Sequence, residues 1–247
     1  MVFPTTASPI VLVHGAWHGA WCWQKLLPLL HAQGLTVYTP TQTGVGEKAD
    51  MLSKDISLET FIQDIADFLT QHDLHDVVLV GHSFGGISIS GVADRMPDRI
   101  SRLVYLDALL LQNGQSVFDI FLPDLAAARR QLALQTSGGV SLPVPEPAAM
   151  GVTDTSDVEW LQAHCTPHPL STYEDKMSLA HPLGNGLAAT YIAVTPHYLP
   201  TTSSRDYAKT RSDWQYVEMP AGHDAMVTSP EQLALVLAQV VFFKNKV

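Results

Sequence analysis

The pentapeptide Gly81-His82-Ser83-Phe84-Gly85 constrains this chain more than any other stretch. It follows the apolar run Val77-Val78-Leu79-Val80 and precedes Gly86-Ile87-Ser88-Ile89-Ser90-Gly91-Val92-Ala93, which reads as a helix. A buried strand must therefore turn into a helix within a few residues, with a serine at the tip. A turn that sharp holds the serine in a strained backbone conformation and leaves little room for bulk beside it, so small residues flank it. The hydroxyl is lifted clear of the sheet. The first N–H groups of the following helix then face any negative charge that develops there. A glycine-rich turn with a solvated serine would account for the pentapeptide alone, but the strand and helix on either side weigh against that reading.

The rest of the chain supplies the frame. Ile10-Val11-Leu12-Val13 is a short buried strand that runs into the small-residue loop His14-Gly15-Ala16-Trp17-His18-Gly19-Ala20-Trp21. Leu26 to Gln33 is expected as a helix stopped at Gly34, and Leu35 to Thr39 as the next strand. Ser57 to Gln71 carries Leu58, Phe61, Ile62, Ile65, Phe68 and Leu69 at helical spacing, with Ser57 as cap. Met96-Pro97-Asp98 breaks the helix after the serine, and Ile100 to Leu106 is a further strand ending at Asp107. Ala189 to Val194 and Trp214 to Met219 complete the strands, and Pro230 opens a terminal helix. This alternation predicts an α/β fold with a mostly parallel central sheet and helices on both faces. Thr43-Gly44-Val45-Gly46 is not a dinucleotide fingerprint, because Ala49 stands at the third glycine position.

From Leu111 to about Asn185 the chain is rich in Pro, Ser, Thr and Gly, with helical pieces at Leu122 to Leu134 and Asp157 to His164 and no clear strand. It is expected to be a mainly helical cap, about 111–185, inserted into a single domain whose core is 1–110 and 186–247. A cap would exclude water from a site built on strand ends. Phe118, Phe121, Trp160, Tyr173 and Met177 are its candidate substrate contacts, joined by Trp17 from the first loop and His82 beside the serine. Trp21 and Trp23 read as core or pocket wall.

Several function classes are excluded by composition. A chain of 247 residues with a net charge of −10 lacks the clustered Lys and Arg that nucleic acid requires. Cys22 and Cys165 form neither a metal pair nor a disulfide framework, which fits a reducing, cytoplasmic setting. Met1 to Pro9 shows no secretory pattern, and the greasy stretch Leu233 to Phe243, broken by Gln239, is far shorter than the ~18 apolar residues of a membrane span. His14 and His18 raise a metal reading, but no acid or cysteine stands at ligand spacing, so no metal and no cofactor is expected. The expected partner is a small-molecule ester, with a homodimer left open.

A serine hydroxyl is a poor nucleophile until a base takes its proton, and the base needs an acceptor on its far nitrogen. His223, in the small-residue loop Ala221-Gly222-His223-Asp224 after the last strand, has the strongest claim. His82 lies inside the turn and would point away from the hydroxyl, while His72 and His75 end a surface helix. These features resemble the α/β-hydrolase group containing plant methylesterases, hydroxynitrile lyases and their bacterial esterase relatives. The stretches that carry the resemblance are Val13 to Trp21, Thr43 to Glu47, Val80 to Gly86, Leu103 to Ala108, and Gly222-His223. They span nearly the whole chain, with the cap matching least. The resemblance implies ester hydrolysis by Ser83 and His223, with oxyanion donors from the N–H of Ala16 (or Trp17) and of Phe84.

One departure matters. Relatives place the acid a few residues after the penultimate strand, where this chain reads Thr195-Pro196-His197. Other members of the fold, among them haloalkane dehalogenases, a mycotoxin lactonase and cofactor-free dioxygenases, take the acid from the preceding strand instead. That places it on Asp107, with Asp206, Asp213 and Asp224 as alternatives and a merely structural Asp107 as the bland reading. The function expected is a serine carboxylesterase for small to medium hydrophobic esters, or lactones, working through an acyl-enzyme. The competing readings are a cofactor-free dioxygenase or lyase on the same fold, and a non-catalytic small-molecule binder. Gly15 and Asp224 stand where the lyases carry Thr and Lys.

Overall fold

In the computed structural model, which describes residues 7–242, the apolar runs pair in parallel. Strands β1 (Ile10–Val13), β2 (Val37–Tyr38), β3 (Val77–His82) and β4 (Ile100–Leu106) come first. A two-residue antiparallel ladder, β5 (Ser141–Leu142) with β6 (His168–Pro169), stands apart from the sheet. The last strands are β7 (Ala189–Thr195) and β8 (Trp214–Pro220). The sheet has six strands in the order β2-β1-β3-β4-β7-β8, every neighbouring pair parallel. β1 and β3 are buried along their whole length, as unbroken Val/Ile/Leu runs covered on both faces should be.

Helices α1 (Leu27–His31), α2 (Leu58–Gln71) and α3 (Gly85–Arg95) belong to the first half. In α2, Leu58, Phe61, Ile62, Ile65 and Leu69 form the buried stripe. Ser57 caps it: the Ser57 hydroxyl accepts from Thr60 N–H at 3.2 Å while Thr60 Oγ1 accepts from Ser57 N–H at 3.1 Å. Such a reciprocal cap is worth about 1 kcal/mol. Between β4 and β7 lie α4 (Val117–Ile120), α5 (Pro123–Ser137), α6 (Thr155–His164) and α7 (Ser171–Glu174). α8 (Thr202–Thr210), α9 (Ala225–Thr228) and α10 (Pro230–Phe242) follow. Among the described residues no helix is long and apolar enough to cross a membrane. The N-terminal reading over Met1 to Pro9 lies outside the described residues for 1–6, and Phe243 lies outside them too.

One expectation is corrected. The connection from β4 to β7 does contain strands, the β5–β6 ladder, too short to leave an alternating pattern in sequence. Between β7 and β8 lies α8, which carries Arg205 to the far side of Asp107.

Strand register places the site. β3 pairs with β4 up to His82↔Leu106, so the next residues, Ser83 and Asp107, leave the carboxyl edge of the sheet side by side. Ser83 N–H donates to the Leu106 carbonyl at 3.1 Å, and Asp107 N–H donates to the Ile192 carbonyl at 2.7 Å. β7 and β8 end together at Thr195↔Pro220, which brings His223 round to the same edge.

Candidate active site

Ser83 and Asp107 both sit at positive φ, +52° and +40°, a conformation that ordinary side chains resist and that the strand ends here impose. The loop after β1 reaches the serine because Gly15 has no side chain. A Cβ there would lie 2.9 Å from Ser83 Cβ and 3.0 Å from His82 Nδ1. Gly85 opens α3 under the same constraint, since its Cβ would come within 2.6 Å of the Val13 and His14 carbonyl oxygens. These contacts press the first loop, the serine turn and the start of α3 together.

Ser83 Oγ donates to His223 Nε2 at 2.9 Å, and His223 Nδ1 donates to Asp107 Oδ2 at 2.7 Å. Asp107 can only accept, so Nδ1 carries the proton and Nε2 is left bare to receive one from the serine. All three side chains are buried. The far carboxylate oxygen of Asp107 has the Thr201 hydroxyl at 3.4 Å and Arg205 Nη1 at 3.7 Å. Arg205 is fixed in turn by the Val194 carbonyl at 2.8 Å. Tyr198 lies flat against the imidazole, ring centroids 3.7 Å apart and planes 20° apart. Among the described residues, the backbone N–H groups of Ala16 and Phe84 have no protein acceptor.

A second layer lies behind His223. His82 Nε2 donates to the His223 carbonyl at 3.0 Å. Asp224 turns away from its neighbour's ring and accepts from His18 Nε2 at 3.2 Å, while His18 Nδ1 donates to the Ala16 carbonyl at 2.7 Å. Burial works against charge on both members of this pair. Their mutual attraction nevertheless wins, raising the His18 pKa and lowering that of Asp224. Burial holds His82 well below the usual imidazole range. His14, pushed down to about 4 by burial, stays neutral: its Nδ1 donates to the Gly15 carbonyl at 2.9 Å and its Nε2 accepts from Gln42 N–H at 3.1 Å. His82, His223 and Asp224 place ligand-type atoms within 4.8 Å of one another. Both nitrogens of His223 are engaged by Ser83 and Asp107, so a metal ion there would displace one of those bonds.

The cavity above Ser83 is lined by Trp17, Leu109, Phe121, Arg129, Tyr173, Tyr198 and Pro200. Its volume is about 10 Å³, room for a single water. Of the residues expected to meet substrate, Trp17, Phe121 and Tyr173 reach this cavity. Phe118 does not; it packs behind Tyr173, ring centroids 5.6 Å apart. Trp160 stacks edge-on against Trp21 at 5.1 Å, away from the serine. His82 faces the His223 backbone rather than the cavity, and Met177 is buried elsewhere. Asp206 is exposed, Asp213 pairs with Arg211, and His197, also exposed, contacts Thr202 at 3.1 Å. Sequence reading missed Arg129, Tyr198, Leu109 and Pro200. For Tyr198 the available signal was an aromatic residue just after the vacated acid position.

The comparisons with known proteins agree with this architecture. A model of the alpha/beta hydrolase family matches residues 10–235, and the chain belongs to that family. A carbendazim hydrolyzing esterase from Nocardioides sp. is 38% identical over 240 residues, covering 92% of this chain and 97% of that protein. A putative chloroplastic methylesterase 14 of Arabidopsis thaliana is 38% identical over 121 residues, which is 49% of this chain and 35% of that protein. An extracellular alpha/beta-hydrolase from a Paenibacillus species superposes with a TM-score of 0.80 at 26% identity, covering 94% of this chain and 98% of that one. The protein is a hydrolase of the esterase type.

Proposed function

We propose that the protein is a serine carboxylesterase acting on small to medium hydrophobic esters through an acyl-enzyme. The observation that carries this reading is the continuous path Ser83 Oγ–His223 Nε2 and His223 Nδ1–Asp107 Oδ2, at 2.9 and 2.7 Å. His223 takes the hydroxyl proton as Ser83 Oγ attacks the ester carbonyl. The Ala16 and Phe84 N–H groups receive the oxyanion. Collapse of the tetrahedral intermediate expels the alkoxide, which takes the proton back from His223. Water then repeats the sequence on the acyl-serine. Asp107 keeps the proton on Nδ1 and balances the imidazolium.

The connection from β4 to β7 acts as the cap: it contributes Phe121, Arg129 and Tyr173 to the cavity wall. With room for one water, that wall must move outward to admit an ester. The Nocardioides relative, an esterase named for carbendazim, supports a small-molecule substrate.

The test is turnover of 4-nitrophenyl acetate and butyrate, followed by a serine-reactive phosphonate and mass analysis of the labelled peptide. Nitrophenol release with an adduct on Ser83, both lost in Ser83→Ala, is the expected result. A folded protein that releases no nitrophenol and takes no label is not this enzyme.

A further inference from the structure

Two arginines stand side by side on α5 and are treated differently. Arg130 is spent on structure: its Nε donates to Glu174 at 3.0 Å and its guanidinium lies 4.2 Å over the Phe118 ring. Arg129 turns inward. It is half-buried, lines the same cavity as Ser83, and lies 5.5 Å from the centre of the Trp17 ring. Among the described residues no carboxylate is within ion-pairing distance of it. A partly desolvated guanidinium without a counter-ion is costly, and contact with an aromatic face recovers a fraction of that cost.

The surroundings are also rich in donors. Trp17 is buried and its Nε1 has no acceptor among the described residues. Tyr173 and Tyr198 line the cavity and feel the charge of Arg129. In a chain of net charge −10, this is a local positive site placed over the nucleophile. Arg129 and Ser83 line the same small cavity, so an ester whose carbonyl meets Ser83 brings the rest of its body to the wall that carries Arg129.

We infer that Arg129 selects esters whose hydrophobic body carries a carboxylate a few bonds from the scissile carbonyl. This rests on the esterase reading above and narrows its substrate class. The guanidinium would take the carboxylate through two parallel N–H···O bonds, and the Trp17 and Tyr173 rings would flank the apolar part. Arg129 makes no bond to the reacting atoms; it sets which esters dwell there.

Two matched substrate pairs decide the matter. On the alcohol side, 3-acetoxybenzoate is compared with phenyl acetate; on the acyl side, monomethyl succinate is compared with methyl butyrate. The expected kcat/KM ratio favours the anionic member of at least one pair by about tenfold or more, a scale set by a charge-assisted hydrogen bond. Arg129→Gln collapses that ratio toward one, and Arg129→Lys keeps part of it. Equal or inverse ratios in both pairs, or a preference that survives Arg129→Gln in a folded variant, overturn the inference. If no ester is turned over, the esterase reading has failed separately. Calorimetric titration then reads the site directly, with 3-hydroxybenzoate against phenol as probes. Tighter binding of the carboxylate, lost in Arg129→Gln, upholds the inference, and equal binding ends it.

Discussion

Among the described residues two buried histidines hydrogen-bond a buried carboxylate, one layer apart, and the two pairs are built for opposite ends. His223 shares one nitrogen with Asp107 and the other with the Ser83 hydroxyl, a group that can give a proton. His18 shares one nitrogen with Asp224 and the other with the Ala16 carbonyl, which can only accept. Two acceptors are best served when both nitrogens of His18 carry protons, and the pairing with Asp224 raises its pKa toward that cationic form. His223 is left with a vacancy at Nε2. On the function proposed above, the same two residue types, at 2.7 and 3.2 Å, give an exchanging base in one layer and a charged ring in the other. What separates them is the chemistry of the third partner.

The sharpest way to break this contrast is an Asp→Asn exchange in each pair. Asn at 107 can donate to His223 Nδ1 and so favours the wrong tautomer, with the proton on the nitrogen that should receive it. Asp107→Asn should lower kcat by about 10⁴ with the fold intact, read by steady-state kinetics and a thermal melt. Asp224→Asn should cost less than tenfold, because His18 can become neutral, keep its Ala16 bond and accept from the new amide. Equal losses in the two variants would refute the distinction.

The next largest effect is on stability. Asp224→Ala removes the counter-charge without replacing it, and a broken buried pair costs about 3–5 kcal/mol. Chemical denaturation should show that loss, and Asp224→Asn should recover most of it. The sign with pH follows from the two shifts. The His18 contribution is present below its ordinary 6.5 and is lost as pH rises through its raised value. The Asp224 contribution is present above 3.8 and is lost as pH falls through its lowered value. The pair is therefore at full strength between those two ordinary values.

His14, in the same loop as His18, sharpens the comparison from the neutral side. It accepts from Gln42 N–H and cannot be protonated without losing that bond. Burial lowers it to about 4; His18 and Lys48 push in the same direction, while the Gly15 carbonyl and Glu47 oppose. Its stability contribution is present above 6.5 and is lost as pH falls through about 4. The expected cost is roughly 3 kcal/mol over that window, seen as a falling melting temperature. His14→Asn should flatten the slope; a slope unchanged by it would place the acid sensitivity on His82 or His168, both also lowered by burial.

The fold, and the Ser83 and His223 part of the candidate site, were legible because their signals are local. The unbroken run Val77 to Val80 and the glycines around Ser83 specify a strand, a sharp turn and a helix within a short stretch. His223 announces itself by its small-residue loop after the last strand. Asp107 could be reached only by noticing that His197 holds the expected place. The physical reason for its geometry, the β3–β4 register that sets it beside Ser83, is not written in any short stretch. Arg129 and Tyr198 were invisible for the same reason: they meet Ser83 only after separate segments fold over the sheet edge. Phe118 and Trp160 were misplaced because aromatic content shows that a residue is buried, not which side of the connection it faces.

Tyr198 offers the smallest effect and the most discriminating one. It directly follows His197 in the loop after β7 and lies against the His223 ring at 3.7 Å. An aromatic face beside an imidazole favours the cation formed during proton transfer, by about 1 kcal/mol where solvent is partly excluded. The stack acts through the ring and not the hydroxyl, whose pKa burial raises to about 12. Tyr198→Phe should therefore retain kcat within about twofold, while Tyr198→Leu should lower it by roughly fivefold, with a smaller change in KM. His18 has its own aromatic neighbour, Trp21, stacked at 5.2 Å, but that ring lines a group that exchanges no proton with Ser83. Trp21→Leu should lower the melting temperature without a comparable loss in kcat. If both substitutions depressed kcat equally, the two layers would not be independent, and a fixed cation behind His223 would have to be counted as part of its chemistry.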